Sequence, residues 1–305
     1  MKLTAKNIFS KIMSVTILTL LLSVYVFANG NSNSEKKIAD GDVTFRFEHI
    51  EFNVADPQAV VKWYTENLGM VVMRSSGAPT YNTFIADTAK NMMLEIGHQE
   101  QYPVLDLSKI HHMAMHLAFI VNDVHKVKEK LMAAGATIAS DITKSPSGDE
   151  ILVLRDPWGL PIQFLKRAEQ MVKFEDGRFE HFAMNQKDAR AKAKWFVDNM
   201  GLKIMRQAGE PNYGTFVADQ GENMMFELFQ FPEYPVIDFS KIDPMSIHIA
   251  FTVNNIEAAK EKLLKGGATV YQDINTIPSG DKILIMRDPQ GLPLQLIERA
   301  NPMLK

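Results

Sequence analysis

Arg46-Phe47-Glu48-His49-Ile50-Glu51-Phe52-Asn53-Val54-Ala55-Asp56-Pro57 is the stretch from which the fold can be read. From His49 to Val54 apolar and polar side chains alternate as in a half-buried strand. Asp56 then stands as an N-cap with Pro57 at the first helical position, so a helix follows at once. The opening returns as Arg178-Phe179-Glu180-His181, an offset of 132 positions (181 − 49). Without a gap, the same offset carries Trp63 to Trp195, Arg74 to Arg206, Tyr81 to Tyr213, Glu95 to Glu227, His116 to His248 and Gln163 to Gln295. It also carries Pro146-Ser147-Gly148-Asp149 to Pro278-Ser279-Gly280-Asp281. The chain is a tandem duplication, with its boundary near residues 171–177.

A fainter repeat lies inside each copy. His49 to Asp56 resembles His116 to Asp123, and each segment runs on into a helix-period stretch that closes near Gly69 or Gly135, the expected C′ glycines. In the first module a helix is expected over 57–67, and strands over 70–74, 83–86 and 92–96. In the second, Asp123 caps a helix through Ala134, followed by strands near Ile138, over 151–154 and over 161–165. Asp156-Pro157-Trp158-Gly159 and Asp288-Pro289-Gln290-Gly291 read as tight turns before the last strand of their modules. The expected class is therefore α+β, with four βαβββ modules in two tandem domains, 45–170 and 177–300.

The 305 residues suffice for two such cores. A net charge of −3 with scattered basic residues gives no nucleic-acid surface. Lys2, Lys6 and Lys11 precede an apolar run from Ile12 to Val26 that ends in Val26-Phe27-Ala28. Residues 1–28 thus read as a signal peptide, too short for a comfortable membrane span, and polar residues 29–44 as a linker. A secreted or periplasmic protein is expected, with no stable membrane insertion after cleavage; an uncleaved anchor is the alternative. Cysteine is absent, which excludes disulfides and thiolate metal sites and suits an oxidising compartment.

Paired βαβββ modules that each open on a strand His, with even modules closing on Asp-Pro-x-Gly-x-Pro-x-Gln, resemble the vicinal oxygen chelate superfamily. That group includes glyoxalase I, extradiol dioxygenases, fosfomycin-resistance proteins and bleomycin-binding proteins, and the resemblance spans about residues 45–299. It implies that two modules face each other as a sheet-lined cup, with metal ligands on the first and last strand of each module. On this chain those positions are His49, Glu95, His116 and Gln163, then His181, Glu227, His248 and Gln295. All are polar within largely apolar segments, where a shared ion offsets the cost of burying them; hydrogen-bonded core histidines are the bland alternative. Fe(II), Mn(II), Ni(II) or Zn(II) suits such donors.

The resemblance also implies a fourth ligand that is usually Glu and, in glyoxalase I, serves as the proton-abstracting base. Gln163 and Gln295 stand there instead, and an amide cannot accept a proton at neutral pH. Isomerisation of glutathione adducts is therefore expected to be disabled, and Glu95 and Glu227 become the candidate catalytic bases. Arg74 and Arg206, with Tyr81 and Tyr213, are candidate substrate-binding residues at the cup mouth. Arg155 and Arg287 read as structural, and His111 and His112 as loop residues. Three functions remain open: a metal-dependent lyase, isomerase or epimerase on a small oxygenated substrate, an Fe(II)-dependent ring-cleaving dioxygenase, and a non-catalytic binder of a small molecule or metal. The protein is expected as a monomer or homodimer. Pairing the modules opened by His49 and His116, and those opened by His181 and His248, is favoured, because a duplicated unit should begin as something able to close a core. Pairing the first with the fourth and the second with the third yields the same ligand sets.

Overall fold

A computed structural model describes residues 42–304 except positions 174 and 223. The signal-peptide reading, and all but the last residues of the linker reading, lie outside the described residues. The first module is β1 (Phe45–Asn53), α1 (Pro57–Leu68), β2 (Val71–Ser75), β3 (Thr83–Ala86) and β4 (Met93–Gly97). The second is β5 (Met115–Ile120), α2 (Val124–Ala133), β6 (Thr137–Lys144), β7 (Glu150–Arg155) and β8 (Pro161–Lys166). The third is β9 (Arg178–Asn185), α3 (Ala189–Met200), β10 (Lys203–Gln207), β11 (Thr215–Ala218) and β12 (Met225–Phe229). The fourth is β13 (Ile247–Val253), α4 (Ile256–Lys265), β14 (Thr269–Thr276), β15 (Lys282–Arg287) and β16 (Pro293–Glu298).

The expected helix signals operate as read. The Asp56 carboxylate accepts from the Ala59 N–H, and Asp123 from those of His125 and Lys126. Gly69 ends α1 in the left-handed region at φ 69°. Strand β1 begins four residues before the expected start. Residues 42–44, read as linker, are docked: the Thr44 N–H donates to Asn254, and Asn254 donates to the Asp42 carbonyl.

The strands form two eight-stranded sheets. One has the order β14-β15-β16-β13-β1-β4-β3-β2, and the other β10-β11-β12-β9-β5-β8-β7-β6. Each sheet therefore joins a module of one copy to a module of the other, the first with the fourth and the third with the second. The favoured within-copy pairing is overturned. β8 runs parallel to β5 and β9 antiparallel to it, so the end of β8 and the start of β9 lie at the same sheet end, one strand apart. The segment between them easily spans that gap of roughly 10 Å. Within a copy, contact passes instead through the helices: the Trp63 indole donates to the Ala134 carbonyl, and Trp195 to that of Gly266.

One apolar core fills the space between helices and sheets and joins the two halves. The Phe47 ring meets Phe226 of the other sheet edge to face, with centroids 4.8 Å apart. Around this contact the halves exchange bonds: buried Asp219 accepts from the Phe47 N–H, and buried Asp87 from that of Phe179.

Candidate metal centres

The strands that form the centre of each sheet also break its alternation. Phe45 and Phe47 pack in the core, and so do Ile50 and Phe52, which is a spacing of three where a regular strand gives two. The register explains this: Phe47 pairs with Phe251 and His49 with Ala250, leaving Glu48 as the extra residue of a β-bulge. Glu180 is skipped likewise between Phe179 and His181. The bulge puts Glu48 and His49 on the same face, where a regular strand would separate them.

From the bulge onward, the cup face of the first sheet follows from register. Glu51 on β1 lies beside Glu95 on β4 and beside His248 on β13. In the next row His49 lies beside Ala250, which lies beside Gln295 on β16. The second sheet repeats the pattern with Glu227, Ala183 and His116 in one row, and His181, Ala118 and Gln163 in the next. The eight expected ligands thus converge in two cups: His49, Glu95, His248 and Gln295, and His181, Glu227, His116 and Gln163. The compositions are as read from the sequence, although each cup draws on both copies.

Ligand atoms of His49, Glu95 and His248 all lie within 4.8 Å of one another, as do those of His116, His181 and Glu227. Nε2 of His49 is 2.7 Å from a Glu95 oxygen, and that of His181 is 3.1 Å from Glu227. The four imidazole Nε2 atoms are buried and none has a partner in hydrogen-bond geometry. Four buried nitrogens that face carboxylate oxygens without hydrogen-bond geometry fit a divalent ion in each cup, since a buried polar atom whose hydrogen bonding is unsatisfied is otherwise costly. Each Nδ1 is anchored. His49 and His181 donate to Glu48 and Glu180 at 2.9 and 2.7 Å, and His116 and His248 to the carbonyls of His112 and Pro244 at 2.8 and 2.9 Å. Such outer contacts fix the tautomer and turn Nε2 into the cup, where it could ligate a metal.

The sequence reading missed the residues behind this anchoring. Arg299 grips Glu48 through Nε and Nη2 at 2.8 and 2.5 Å and donates from Nη1 to Asp281 at 2.9 Å. Arg167 holds Glu180 and Asp149 in the same way. Burial acts to raise the Glu48 carboxyl, but Arg299 and His49 outweigh it and hold it at about 2; Arg167 and His181 do the same for Glu180. The available signals were the phase break at Glu48-His49 and the recurrence of Glu48, Asp149 and Arg167 at the 132-residue offset.

Burial acts to raise Glu95 and Glu227 as well, yet the facing imidazoles lead the opposing effects, and both stay below the usual carboxylate range. They are therefore held as carboxylates. Burial, helped by the neighbouring His49 or His181, lowers His248 and His116 to about 4 and keeps those rings neutral. Burial also acts to lower His49 and His181, but Glu95 with Glu48, and Glu227 with Glu180, outweigh it and raise them, so a metal at their Nε2 would displace a proton. Glu51 is also buried and was not singled out from the sequence. Its carboxyl is raised by burial and by the neighbouring Glu95.

The substrate-binding expectations divide. Arg74 lies 4.6 Å over the Phe84 ring, which packs edge-on against His49, and its side chain is 42% exposed at 3.8 Å from Asp281. Arg206 lies 4.8 Å over Phe216, which packs against His181. Both arginines stand at a cup rim. The tyrosines do not join them. Tyr213 lies under Arg190 of α3 and donates to Glu210, on the helix-covered side of the sheet. Tyr81 holds the same left-handed turn and is 37% exposed, and among the described residues no hydrogen bond or ring contact joins its side chain to the candidate ligands. The N–H groups of Tyr81 and Tyr213 donate to the carbonyls of Gly77 and Gly209 at 3.1 and 3.0 Å, so both residues share one loop geometry. Arg155 and Arg287 are structural, as expected, each donating to three backbone carbonyls. His111 and His112 stack on one another in their loop, and the His112 carbonyl orients His116.

The model of the Glyoxalase/Bleomycin resistance protein/Dioxygenase superfamily matches residues 46–164 and again 178–296. The chain belongs to this superfamily. A putative lactoylglutathione lyase of Brassica oleracea var. gemmifera is 22% identical over 84% of this chain and 92% of its own length. The lactoylglutathione lyase of Escherichia coli O157:H7 is 23% identical and matches 41% of this chain but 94% of its own, about one copy of the repeat. The crystal structure of glyoxalase I from Zea mays shares the fold, with a TM-score of 0.66 at 20% identity, over 84% of this chain and 93% of that one. Among the described residues, no helix is long and apolar enough to cross a membrane.

Proposed function

We propose that this protein is an exported, metal-dependent enzyme of the glyoxalase-like lyase or isomerase type, acting on a small oxygenated substrate. The observation that carries the reading is the convergence of orphaned imidazole Nε2 atoms with carboxylates in both cups. The lactoylglutathione lyases among the relatives supply the reaction class. Export rests on the N-terminal lysines and the apolar run that ends at Ala28.

A divalent ion held by the two His, the Glu and the Gln of a cup supplies polarisation of a carbonyl or of adjacent hydroxyls. The chain itself provides the rest. Glu95 or Glu227, ionised beside the imidazoles, takes a proton from the substrate carbon or hydroxyl and returns it. Gln295 and Gln163 offer an amide oxygen as ligand but no proton acceptor. Arg74 and Arg206 at the rims pair with an anionic group of the substrate and orient it. Met93 and Met225, fully buried beside His49 and His181 on the cup faces, keep bulk water from the rows that carry the histidines.

The test is turnover of 2-oxoaldehyde adducts and α-hydroxycarbonyl compounds by the mature protein, stripped of metal and reloaded with Fe(II), Mn(II), Ni(II) or Zn(II). Metal-dependent turnover, lost in the His49→Ala, His181→Ala double variant and low on the methylglyoxal–glutathione adduct, is expected. Turnover indifferent to chelation and to these substitutions would refute the reading.

A further inference from the structure

We propose that Glu51 is a further metal ligand of the cup formed by His49, Glu95, His248 and Gln295, and that the two cups of one chain hold divalent ions with unequal strength. This rests on reading both clusters as metal centres. Glu51 belongs to neither repeated ligand set, because the position 132 residues later is Ala183.

Glu51 stands beside the ligand set, facing His248, and outside the group of His49, Glu95 and His248 whose ligand atoms all lie within 4.8 Å of one another. It lies in the sheet between Glu95 and His248, side by side with both, and all three side chains point into the cup. Its Oε2 is 3.0 Å from Nε2 of His248, an atom that has no partner in hydrogen-bond geometry. Gln99 donates to the other oxygen, Oε1, at 3.2 Å. Glu95 is treated in the same way: Asn82 donates to its Oε1, and its Oε2 faces Nε2 of His49. Each carboxylate of this cup therefore has one oxygen tied by a side-chain amide and the other turned toward an imidazole nitrogen.

The second cup lacks all of this while keeping the frame. Ala183, Gly214 and Phe231 replace Glu51, Asn82 and Gln99. The exchange is sterically matched. A Cβ on Gly97 would lie 2.6 Å from the Asn82 amide oxygen, so Gly97 makes room for the amide; in the other copy Gly214 stands opposite Phe229, whose ring lies along His116. In the second cup the nearest carboxylate oxygen to His116 belongs to Glu227, at 3.9 Å. The first cup brings two carboxylates to a dipositive ion and the second brings one. The second carboxylate adds a negative charge and a hard oxygen donor of the kind that suits Mn(II), so the first is the tighter site for that ion.

The experiment is titration of the metal-free mature protein with Mn(II), following free ion by electron paramagnetic resonance and heat by calorimetry. Wild type is expected to show two classes of site, with His248→Ala removing the tight class and His116→Ala the weak one. Glu51→Gln, which keeps the side-chain volume, should weaken the tight class by at least about tenfold and leave the weak class unchanged. Ala183→Glu should strengthen the weak class; it tests the same idea if Glu51→Gln fails to fold. Two equal sites in wild type, or a Glu51→Gln isotherm that overlays wild type, would overturn the proposal while leaving the metal reading intact. Absence of Mn(II), Fe(II), Ni(II) and Zn(II) binding at both cups would instead overturn the metal reading, and this proposal with it.

Discussion

The two cups are built on one frame and filled differently. In both, a bulge glutamate clamped by an arginine holds the odd-module histidine, and a backbone carbonyl holds the even-module one. What differs is the centre, polar around Glu51 and apolar around Ala183. The helices show the same kind of change away from the cups. In the first copy Tyr64 donates to buried Asp156 at 2.9 Å, beside Val60. In the second, Lys192 and Phe196 stand at those positions, and the buried Lys192 ammonium pairs with Asp288. In each case one residue has changed together with its neighbour. A buried polar group persists only with its partner, so a duplicated core diverges in matched sets.

Breaking the buried pair of the second copy should have the largest effect. Lys192→Met leaves Asp288 without its cation and should cost about 3–5 kcal/mol in chemical denaturation. Replacing Lys192 by Val together with Phe196 by Tyr rebuilds the first copy's arrangement and should recover most of that loss. A double variant no more stable than Lys192→Met would show that the two solutions are not interchangeable.

A pH series sharpens the comparison at the next level. Burial raises Asp156 to about 6, against the opposing bond from Tyr64 and those from the backbone. Between pH 4 and 6 the native chain keeps this proton while the unfolded chain has lost it, so the group's contribution to stability falls as pH rises and is constant above. Asp156→Asn carries no such titration. Its stability relative to wild type should therefore improve from pH 4 to pH 7 by on the order of 2–3 kcal/mol. A difference that is flat with pH would contradict the burial argument.

The smallest effect is expected from Tyr64→Phe, which deletes one hydrogen bond and leaves Asp156 its backbone donors from Trp158 and Leu160. The expected cost is about 1–2 kcal/mol, well below that of Lys192→Met. Equal costs would mean that charge adds nothing to the second copy's pair.

Much of the molecule was legible because its signals are local. Period-two alternation, Asp N-caps and a C′ glycine located the elements to within a few residues, and repetition at one offset doubled the candidate ligand positions that the family resemblance implied. Glu51 was legible in principle. His49, Glu51 and Asn53 form a polar row on one strand face, and the repeat aligned Glu51 with Ala. It escaped because attention to what the copies share passes over where they differ. Tyr213 shows the converse, a shared residue whose hydroxyl donates to Glu210 and whose ring lies under Arg190 of α3.

The sequence by itself determined the four modules and the duplication, because each depends on spacing along a strand or helix, while the eight candidate ligand positions came with the family resemblance those modules carry. Tertiary structure alone decided which modules share a sheet. The second and fourth modules are copies, so β1 can meet β5 or β13 in the same register with nearly the same side chains, and the local pattern is degenerate. The outcome, His49 with His248 and His181 with His116, belongs to contacts between residues far apart in the chain. Phe47 packs against Phe226, and Asp219 and Asp87 cross between the halves, and these bind the two sheets into one core.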